Sequence, residues 1–373
     1  MDFKLSKEQE LLRDGLVKFL STRYDLEKSR TAAKTGPGWQ PEIWAGFADE
    51  LGILGAALPE EVGGIGGGPV EIMVIAEALG QSLVVEPYVD TVVVAGGLLH
   101  RAGGAVATAL LERVVAGTAV VALAATEAES GDNWLNAATV AERDGDGWVL
   151  RGAKIVAASA PLASHLLVTA RTTNGISLFV VDLADAAGLT AHPYRTVDDR
   201  HASDLVFDGL RLSGDALLGE EGAAAASLEQ ARDEGAAAVC AEAVGCMRKV
   251  LSDTVEYAKQ RQQFGQPIGS FQALQHRMVD MHMELEQSVA AAYLAILNLE
   301  AEPAVRARAV SAAKATIGRA ARFIGQQAVQ LHGGMGMTEE LAIGHYFKRL
   351  TALQYEFGST DHHVARYAKL TRA

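Results

Sequence analysis

The sequence predicts an α+β protein, with a small central antiparallel β domain between an N-terminal helical domain and a C-terminal helical bundle. Three observations predict this fold. Apolar residues recur at helical spacing through the first third of the chain. From Val120 the apolar period changes to two, and after Gly222 the chain is rich in alanine and helical in pattern to its end. We therefore expect domains at 1–118, 119–220 and 221–373.

The N-terminal domain is predicted to begin with a capped helix. Ser6 and Gln9 stand at capping-box spacing, in which each side chain accepts a hydrogen bond from the other residue's main-chain N–H. Glycine and proline at 51–64 indicate a turn-rich loop after a later helix. Helices over 72–79 and 88–100 complete the predicted domain.

The central domain is predicted from short alternating runs separated by turn residues. Hairpin signals lie at 144–147, at 174–175 and at 208–209, each between two runs of strand-forming residues. Several short strands at this spacing indicate a small antiparallel barrel or sandwich. No G-x-G-x-x-G follows a strand and opens a helix, so the sequence does not support a Rossmann dinucleotide site.

The C-terminal domain is predicted to be a bundle that starts with one very long helix over 223–260. Small residues such as Ala237 and Ala241 on this helix allow a neighbouring helix to pack closely. Thr338 is an expected N-cap, because Glu339 and Glu340 would give the next helix an acidic first turn. The later helices are expected near 269–299, 303–330, 338–353 and 360–370.

Two links between these helices carry unusual chemistry. The link at 330–337 has three glycines in four positions, which end a helix and leave main-chain N–H groups open to a phosphate or a flat cofactor. The link at 261–272 holds a fixed positive charge, Arg261, and an aromatic ring, Phe264. A tight helical hairpin without a ligand is the alternative interpretation of the glycine link.

Together these links resemble the acyl-CoA dehydrogenase family, whose patterns are R-x-x-F-G-x-x-[IL]-x-x-x-Q and Q-x-x-G-G-x-G. The loop at 51–64 and the three-part order of helices, strands and helices are similar to the same family. The resemblance implies an acyl-CoA dehydrogenase-like fold, FAD as the cofactor, and contact of both links with the FAD of a neighbouring subunit. The implied cofactor-binding residues are Arg261, Phe264, Gln272, Gln330, Gly333, Gly334 and Gly336.

The resemblance also places the flavin wall in the central domain, where this chain departs from the family pattern. Thr126 and Glu127 match a T-E pair, and Lys154 matches the lysine of a G-x-K strand. The tryptophan and the hydroxyl residue that follow this strand in the family are replaced by Val156 and Ala158. Thr126 and Ala158 are thus implied to contact the flavin, in an altered pocket.

The reaction implied by the resemblance needs a carboxylate base. The base removes a proton from the carbon next to an acyl-CoA thioester, while a hydride leaves the next carbon. The family's usual glutamate directly precedes a glycine, but this chain has Glu356 and then Phe357 before Gly358. A second family position falls on Gly235 of the long helix, next to Glu234. Glu356 and Glu234 are the candidate bases, and ordinary surface acids are the alternative interpretation.

Composition and charge argue against other classes of function. A net charge of −13 disfavours nucleic acid as a partner, because nucleic acid binds clustered Lys and Arg. The longest apolar stretches are too short to span a bilayer. Cys240 and Cys246 are expected about 9 Å apart along a helix, beyond disulfide reach, and the histidine spacing predicts no metal site. A cytoplasmic enzyme is the simplest expectation.

Three functions remain open. The first is an FAD-dependent acyl-CoA dehydrogenase, a homotetramer or dimer of dimers, with an electron-transfer flavoprotein-type acceptor. The second is a non-catalytic or half-site subunit that completes the site of another acyl-CoA dehydrogenase chain in an α2β2 assembly. The third uses the same fold with oxygen, as in acyl-CoA oxidases and flavin monooxygenases. The departures in the wall resemble the branch that acts on steroid or other bulky thioesters.

Overall fold

The computed structural model describes residues 4–372 and confirms the predicted α+β fold. Two compact units divide the chain: the helical unit contains α1, α4 and the residues from Ala236 onward, and the β unit contains Glu27–Gly68 and Val85–Gly235. The helices are α1 (Lys7–Arg23), α2 (Leu26–Thr35), α3 (Pro41–Asp49), α4 (Pro69–Gln81), α5 (Gly96–Ala102), α6 (Gly104–Val115), α7 (Ala225–Gln260), α8 (Gln272–Ile296), α9 (Pro303–His332), α10 (Ile343–Leu353) and α11 (Thr360–Arg372). The strands are β1 (Val121–Ala124), β2 (Val140–Asp144), β3 (Gly147–Ala158), β4 (His165–Thr172), β5 (Gly175–Asp182), β6 (Leu189–Arg195), β7 (His201–Leu212), β8 (Leu217–Leu218), β9 (Gln262–Gln263) and β10 (Gln266–Pro267).

In the helical unit, α4 and α7 cross at two glycines. A Cβ at Gly80 would lie 2.1 Å from the main-chain oxygen of Glu242, and a Cβ at Gly245 would lie 1.9 Å from that of Glu77. The Sγ of Cys246 donates to the main-chain oxygen of Gly80 over 3.1 Å. The long helix therefore packs closely through its small residues, as its composition predicts.

The chain after α9 differs from the prediction. α9 continues to His332, and Gly333–Met337 then forms a short 3₁₀ turn. Thr338 does not cap a helix, because its Oγ1 donates to the main-chain oxygen of Met335 over 2.9 Å and closes this turn. The next helix, α10, begins only at Ile343. The predicted N-cap was wrong because a threonine hydroxyl bonds the preceding main chain as readily as the following one.

Within residues 4–372, the β unit is built on one sheet in the order β6-β7-β3-β2-β4-β5-β8, with β1 paired to β4. The hairpins predicted at 144–147 and 174–175 are present as β2–β3 and β4–β5. Most pairs are antiparallel, but β1 and β2 each run parallel to β4. The core of the sheet includes Trp148 and Phe179, whose rings meet edge-on with 5.1 Å between their centroids.

The third predicted hairpin, at 208–209, is wrong. Asp208 and Gly209 lie inside one continuous strand, β7. Leu150 pairs with Leu210 and Arg151 pairs with Asp208, so the pairing skips Gly209, which has φ 71°. A glycine after an aspartate predicts a turn, but the same positive φ also serves a bulge that bends a strand.

Two kinds of feature are absent from the described part of the chain. Among residues 4–372, no helix has the length and apolar character needed to cross a bilayer. The same residues hold no group of three or more His, Cys, Asp or Glu side chains that could bind a metal ion. Cys240 and Cys246 are free thiols, both buried in α7.

Candidate active site

In the helical unit, one arginine of α10 binds two carboxylates. Arg349 is 2% exposed, and its Nε and Nη2 donate to Glu242 of α7 over 2.7 and 2.8 Å. Its Nη1 and Nη2 also donate to Glu356, the Nη2 bond over 3.0 Å. The side chain of Glu242 is 4% exposed, whereas that of Glu356 is 32% exposed. The C-terminal candidate base therefore binds a buried cation and still contacts solvent.

Glu356 lies in a turn between α10 and α11 that accommodates the additional Phe357. Phe357 has φ 57° and Gly358 has φ 114°, so two successive residues adopt positive φ. A bulky residue rarely adopts positive φ, because its Cβ crowds the main chain. The displacement of the glutamate by one residue is thus absorbed in a turn and leaves both helices regular.

Two buried side chains hold the main chain of this turn. His363 of α11 donates from Nε2 to the main-chain oxygen of Phe357 over 3.1 Å. Burial, together with the nearby ammonium of Lys314, lowers the pKa of His363 to about 3, so this ring is neutral at physiological pH. Lys314 of α9 donates over 2.8, 3.2 and 3.1 Å to the main-chain oxygens of Leu353, Gln354 and Gly358. The turn that carries Glu356 is therefore fixed through its main chain.

The second candidate base, Glu234, lies in the β unit and accepts more hydrogen bonds. Its two oxygens accept from Arg101 of α5 over 2.7 and 3.1 Å, and Oε1 also accepts from Gln230 over 3.0 Å. Its side chain is 15% exposed, and a Cβ at Gly97 would lie only 2.8 Å from Oε2. Glu234 therefore serves as a tightly packed link between α5 and α7.

The two links matched to FAD contacts begin close together in the helical unit. The ring of Tyr257, near the end of α7, stacks on His332, the last residue of α9, with 4.3 Å between centroids. Arg261 follows Tyr257 by four residues, and Gly333 follows His332 directly. The chain after Arg261 forms the β9–β10 hairpin, where Phe264 is 91% exposed with φ 55°. The structure thus brings the starts of these two links together, through the stacking of Tyr257 on His332.

Most residues matched to FAD contacts have positions that fit a flavin nucleotide. Ideal Cβ atoms at Gly333 and Gly334 meet no heavy atom of the described chain within 4 Å, so the main chain there is open to a ligand. Gly336 differs, because it is buried and a Cβ there would lie 2.9 Å from the main-chain oxygen of Val329. A fixed cation, open amides and an exposed ring suit a pyrophosphate and a flat heterocycle. The exposed side chains of this set are Arg261, Phe264, Gln272 and Gln330.

In the β unit, a buried ion pair joins the two stretches matched to the flavin wall. Lys154 of β3 is fully buried, and its Nζ donates to Glu127 over 2.6 Å and to Thr169 over 2.9 Å. Glu127 also accepts from the main-chain N–H groups of Ala138 and Thr139 over 2.6 and 3.1 Å. Burial acts to raise the pKa of Glu127, but Lys154 and the other donors bring it below its usual value. The carboxylate is therefore ionised and accepts three hydrogen bonds in this link.

The strand beyond Lys154 is open and apolar. Val156 is 52% exposed with φ 51°, a conformation that strains a β-branched residue, and its N–H donates to Asp204 over 3.0 Å. Thr126 is half-buried, and its main-chain oxygen accepts from Ile155 over 2.9 Å. Ala158 is exposed and offers a methyl group where the family pattern has a hydroxyl. Thr126 and Ala158 therefore lie on neighbouring segments of one wall.

Sequence reasoning missed Arg349 and Lys314. One signal was available for Arg349, which stands only seven residues before Glu356 in the sequence and lies in the last turns of α10. Lys314 is a single charge within the small-residue run at 311–318, which indicates a buried helix face. Neither signal identifies the partner of the residue. For Lys314 the acceptors are main-chain oxygens, which every residue type provides.

Comparison with known proteins identifies acyl-CoA dehydrogenase domains over most of the chain, in agreement with the resemblance seen in the sequence. Models of the acyl-CoA dehydrogenase N-terminal, middle and C-terminal domains match residues 6–118, 122–210 and 224–370 in that order. Acyl-CoA dehydrogenase FadE12 of Mycobacterium tuberculosis is 31% identical over 357 residues, which cover 91% of this chain and 89% of that protein.

Three solved structures share the whole fold. A variant of the Tcur3481-Tcur3483 steroid ACAD has a TM-score of 0.89 at 29% identity and covers 98% of both chains. The ChsE4-ChsE5 complex from Mycobacterium tuberculosis has a TM-score of 0.90 at 25% identity, over 100% of this chain and 99% of that one. The FAD complex of PigA has a TM-score of 0.91 at 26% identity, again over 100% and 99%.

The cofactor and the reaction follow from three findings that agree. They are the matched domains, the similarity to the proteins above, and the residues of the links at 261–272 and 330–337. FAD is the cofactor, and an acyl-CoA thioester is the substrate. The chain therefore belongs to the acyl-CoA dehydrogenase family, oxidoreductases that act on the CH–CH bond of acyl-CoA thioesters.

Proposed function

We propose that this chain is a catalytic acyl-CoA dehydrogenase subunit and that Glu356 is its base. The observation that carries the proposal is the position of Glu356 in a fixed turn with 32% of its side chain exposed. An ionised carboxylate has about four lone-pair sites. Arg349 donates to each oxygen of Glu356, so each oxygen keeps a lone pair for a proton. Glu356 then accepts the proton from the carbon next to the thioester.

Glu234 is the weaker candidate on geometric grounds. A base must come within hydrogen-bonding distance of the proton that it removes. Glu234 has less than half the exposed fraction of Glu356, 15% against 32%, and it accepts from Gln230 as well as Arg101. Use as a base would require Glu234 to break its link between α5 and α7.

The FAD-binding roles follow from the exposed groups of the two links and the wall. In the helical unit, Arg261 and the turn at 333–337 would bind the pyrophosphate of a neighbouring protomer's FAD, and Phe264 would cover part of that cofactor. In the β unit, Thr126 and Ala158 would line a flavin ring. When bound, FAD would supply the acceptor for the hydride that leaves the second substrate carbon. The 91% exposure of Phe264 supports the proposal that these contacts reach a neighbouring protomer of a tetramer.

Substitution of each candidate base by Gln tests this assignment. Glu356→Gln keeps the size of the side chain and removes its basicity, so we expect turnover to fall about a hundredfold with unchanged flavin content. Glu234→Gln and the exposed control Glu340→Gln should retain turnover within a few-fold. Anaerobic bleaching of the flavin by acyl-CoA measures the step directly. Loss of bleaching in Glu234→Gln alone would move the base to α7, and full bleaching in both variants would refute both assignments.

A second candidate function is that of a partner subunit completing the site of another acyl-CoA dehydrogenase chain. Arg349 already binds Glu356, and Val156 and Ala158 replace the wall residues of the family pattern. The likeness to the ChsE4-ChsE5 complex supports an assembly of two different chains. Purification of the chain alone and with the product of a neighbouring reading frame separates the two functions. One FAD per protomer with full turnover of the chain alone would exclude the partner role.

The proposal extends to the electron acceptor and the location. We expect an electron-transfer flavoprotein-type acceptor, which should reoxidise the enzyme faster than oxygen does in stopped-flow experiments. Hydrogen peroxide formed at the rate of substrate oxidation would instead favour an oxidase. A cytoplasmic location is supported by the two free, buried thiols, which suit a reducing compartment. Cell fractionation tests this location.

A further inference from the structure

Several segments of the β unit meet at a polar cluster that the proton transfer does not use. Gln40, the N-cap residue of α3, donates its main-chain N–H to Oε1 of Glu86 over 3.0 Å. Four residues after Glu86, Asp90 accepts a hydrogen bond from the hydroxyl of Ser159. The N–H of Ser159 donates to the main-chain oxygen of His201 over 2.9 Å. We call this arrangement the Glu86 cluster.

Two polar atoms of the Glu86 cluster are buried without a partner. Glu86 is 2% exposed and Gln40 is 5% exposed. Within the described chain, neither Oε2 of Glu86 nor Nε2 of Gln40 has a hydrogen-bond partner. A buried polar group that stays unpaired is costly, so folded proteins fill such places with water or a ligand group. One unpaired carboxyl oxygen and one unpaired N–H donor match a single hydroxyl or ketone oxygen.

The charge of the Glu86 cluster limits which part of the substrate can reach it. Burial raises the pKa of Glu86 to about 7, against the opposing effects of the main-chain N–H groups of Gln40 and Glu86, of Arg200 and of the main-chain N–H of Val85. Part of the Glu86 population is therefore a carboxylate at neutral pH and repels anions. The phosphates of CoA are thus disfavoured here, whereas a neutral oxygen on the acyl group is not.

The Glu86 cluster is joined to the wall matched to the flavin site. Ser159, which binds Asp90, directly follows Ala158 of that wall. The reacting carbons of the substrate must lie against the flavin for hydride transfer. A substrate group that reaches Glu86 from this wall therefore belongs to the acyl portion beyond those carbons.

We propose that Glu86 and Gln40 bind one oxygen substituent, a hydroxyl or a ketone, on the acyl group of the substrate. This inference rests on the proposed function and names its substrate class as oxygen-bearing acyl-CoA thioesters. A hydroxyl donates to Oε2 of Glu86 and accepts from Nε2 of Gln40. A ketone accepts from Nε2 and from the protonated carboxyl. An acyl group that lacks the oxygen leaves both protein groups unpaired, so the site discriminates against it.

Matched acyl-CoA substrates test this proposal with the FAD-loaded enzyme. The series carries one hydroxyl, one ketone or no oxygen at successive positions of the same acyl skeleton. We expect kcat/KM of the best oxygen-bearing member to exceed that of its plain analogue by at least about tenfold, as for a hydrogen bond to a charged group. The unsubstituted analogue reports the basal activity.

Two variants assign the preference to the Glu86 cluster. Gln40→Leu removes the unpaired N–H donor and should remove most of the preference for the oxygen-bearing substrate. The Gln40 side chain makes no cap bond to α3, so the variant keeps the helix cap as it is. Glu86→Gln replaces an acceptor by an N–H donor, so it should shift the preference from hydroxyl towards ketone. Gln326→Leu, at an exposed position of α9, is the matched control and should keep the wild-type preference.

The outcomes separate this proposal from the proposed function. Equal kcat/KM across the series in an active wild type would overturn the proposal, as would a preference that survives Gln40→Leu. Variants that change only the free energy of unfolding would identify a buried water or a purely structural pair with Arg200 and would also overturn it. If no acyl-CoA were turned over, the proposed function would fail. Calorimetric affinities for the same series would then still decide this proposal.

Discussion

The two units each bury a charged group, but they neutralise it in different ways. In the β unit, Lys154 and Glu127 form a one-to-one pair, completed by main-chain and hydroxyl groups. In the helical unit, Arg349 serves two carboxylates, of which Glu242 is buried and Glu356 is 32% exposed. Glu127 accepts three hydrogen bonds, all from groups that hold the wall together. Glu356 can leave Arg349 without stranding a buried charge, because Glu242 remains.

The largest effect is expected from breaking the one-to-one pair. Lys154→Met leaves Glu127 as an uncompensated charge in the core, and the free energy of unfolding should fall by about 3–5 kcal/mol. Urea unfolding followed by circular dichroism measures the change. In the control variant Lys154→Met/Glu127→Leu, apolar packing replaces the pair and should restore most of the stability. An unchanged unfolding midpoint in the single variant would contradict this account of the wall.

The next prediction concerns how the free energy of unfolding depends on pH, which differs between the two units. The pKa of Glu86 in the β unit rises from 4.5 to about 7 on folding, so the folded state binds more protons between these values. Stability from this group is present below pH 4.5 and is lost as the pH rises through 7, by about 3 kcal/mol. Glu86→Gln should abolish that slope in unfolding experiments at pH 5 and pH 8. A slope that persists in the variant would show that other groups produce it.

In the helical unit the sign is reversed. The pKa of His363 falls from 6.5 to about 3 on folding, so the unfolded chain binds the extra proton in this range. Stability from His363 is present above pH 6.5 and is lost as the pH falls towards 3. His363→Gln should reduce the loss of stability between pH 7 and pH 4. The difference between the thermal unfolding midpoints at these two pH values measures this loss.

A smaller loss of stability is expected when either carboxylate that binds Arg349 is removed, and the size of the loss should differ between the two. Glu242→Gln removes the buried partner, and we expect a loss of about 1.5–3 kcal/mol, the range for a hydrogen bond to a charged group. Glu356→Gln removes the partly exposed partner and should cost about 1 kcal/mol or less. Urea unfolding of the two variants side by side makes the comparison. Equal losses would mean that Glu356 stabilises the fold as strongly as the buried Glu242 does.

The smallest effect concerns Arg261, an exposed arginine that contrasts with buried Arg349 in the same unit. Arg261→Ala should weaken FAD binding by at least about tenfold, equal to about 1.4 kcal/mol, and leave the free energy of unfolding of the apoprotein unchanged. Fluorescence titration of the apoprotein with FAD measures the affinity. Arg261→Lys, which keeps the charge and loses the planar fork, should show an intermediate loss. Unchanged FAD affinity in Arg261→Ala would assign this residue to the protein surface alone.

The fold was predictable because its signals are local. The hairpins at 144–147 and 174–175 and the capping box at Ser6 depend on residues adjacent in sequence, and all three are present. The predictions of a turn at 208–209 and of an N-cap at Thr338 were wrong, because the same local pattern occurs in two conformations. Asp-Gly occurs in turns and in strand bulges, and a threonine hydroxyl can bond the main chain before it or after it. The choice between those conformations is made by strand pairing and hydrogen bonds elsewhere in the fold.

The candidate site was less predictable, because its links join residues far apart in sequence. The one-residue displacement of Glu356 is visible in the sequence, but its bond to Arg349 and the hold of Lys314 on its turn are not. Glu86 and Gln40 gave no signal, since burial of an acid cannot be distinguished from exposure in a short loop. The family patterns identified positions such as Arg261. The other residues of the site, such as Arg349 and Lys314, are recognised only from contacts between residues distant in sequence.

The two cysteines have a practical consequence for the study of this protein in solution. Cys240 and Cys246 are buried in α7, and burial raises the pKa of Cys240 to about 12, so its thiol is protonated at neutral pH. Thiol reagents react with thiolates, and these two positions should resist them. Phe264→Cys would place one reactive thiol at a position that is 91% exposed. A fluorophore attached there would give a site-specific reporter of protomer association, with no need to remove the native cysteines.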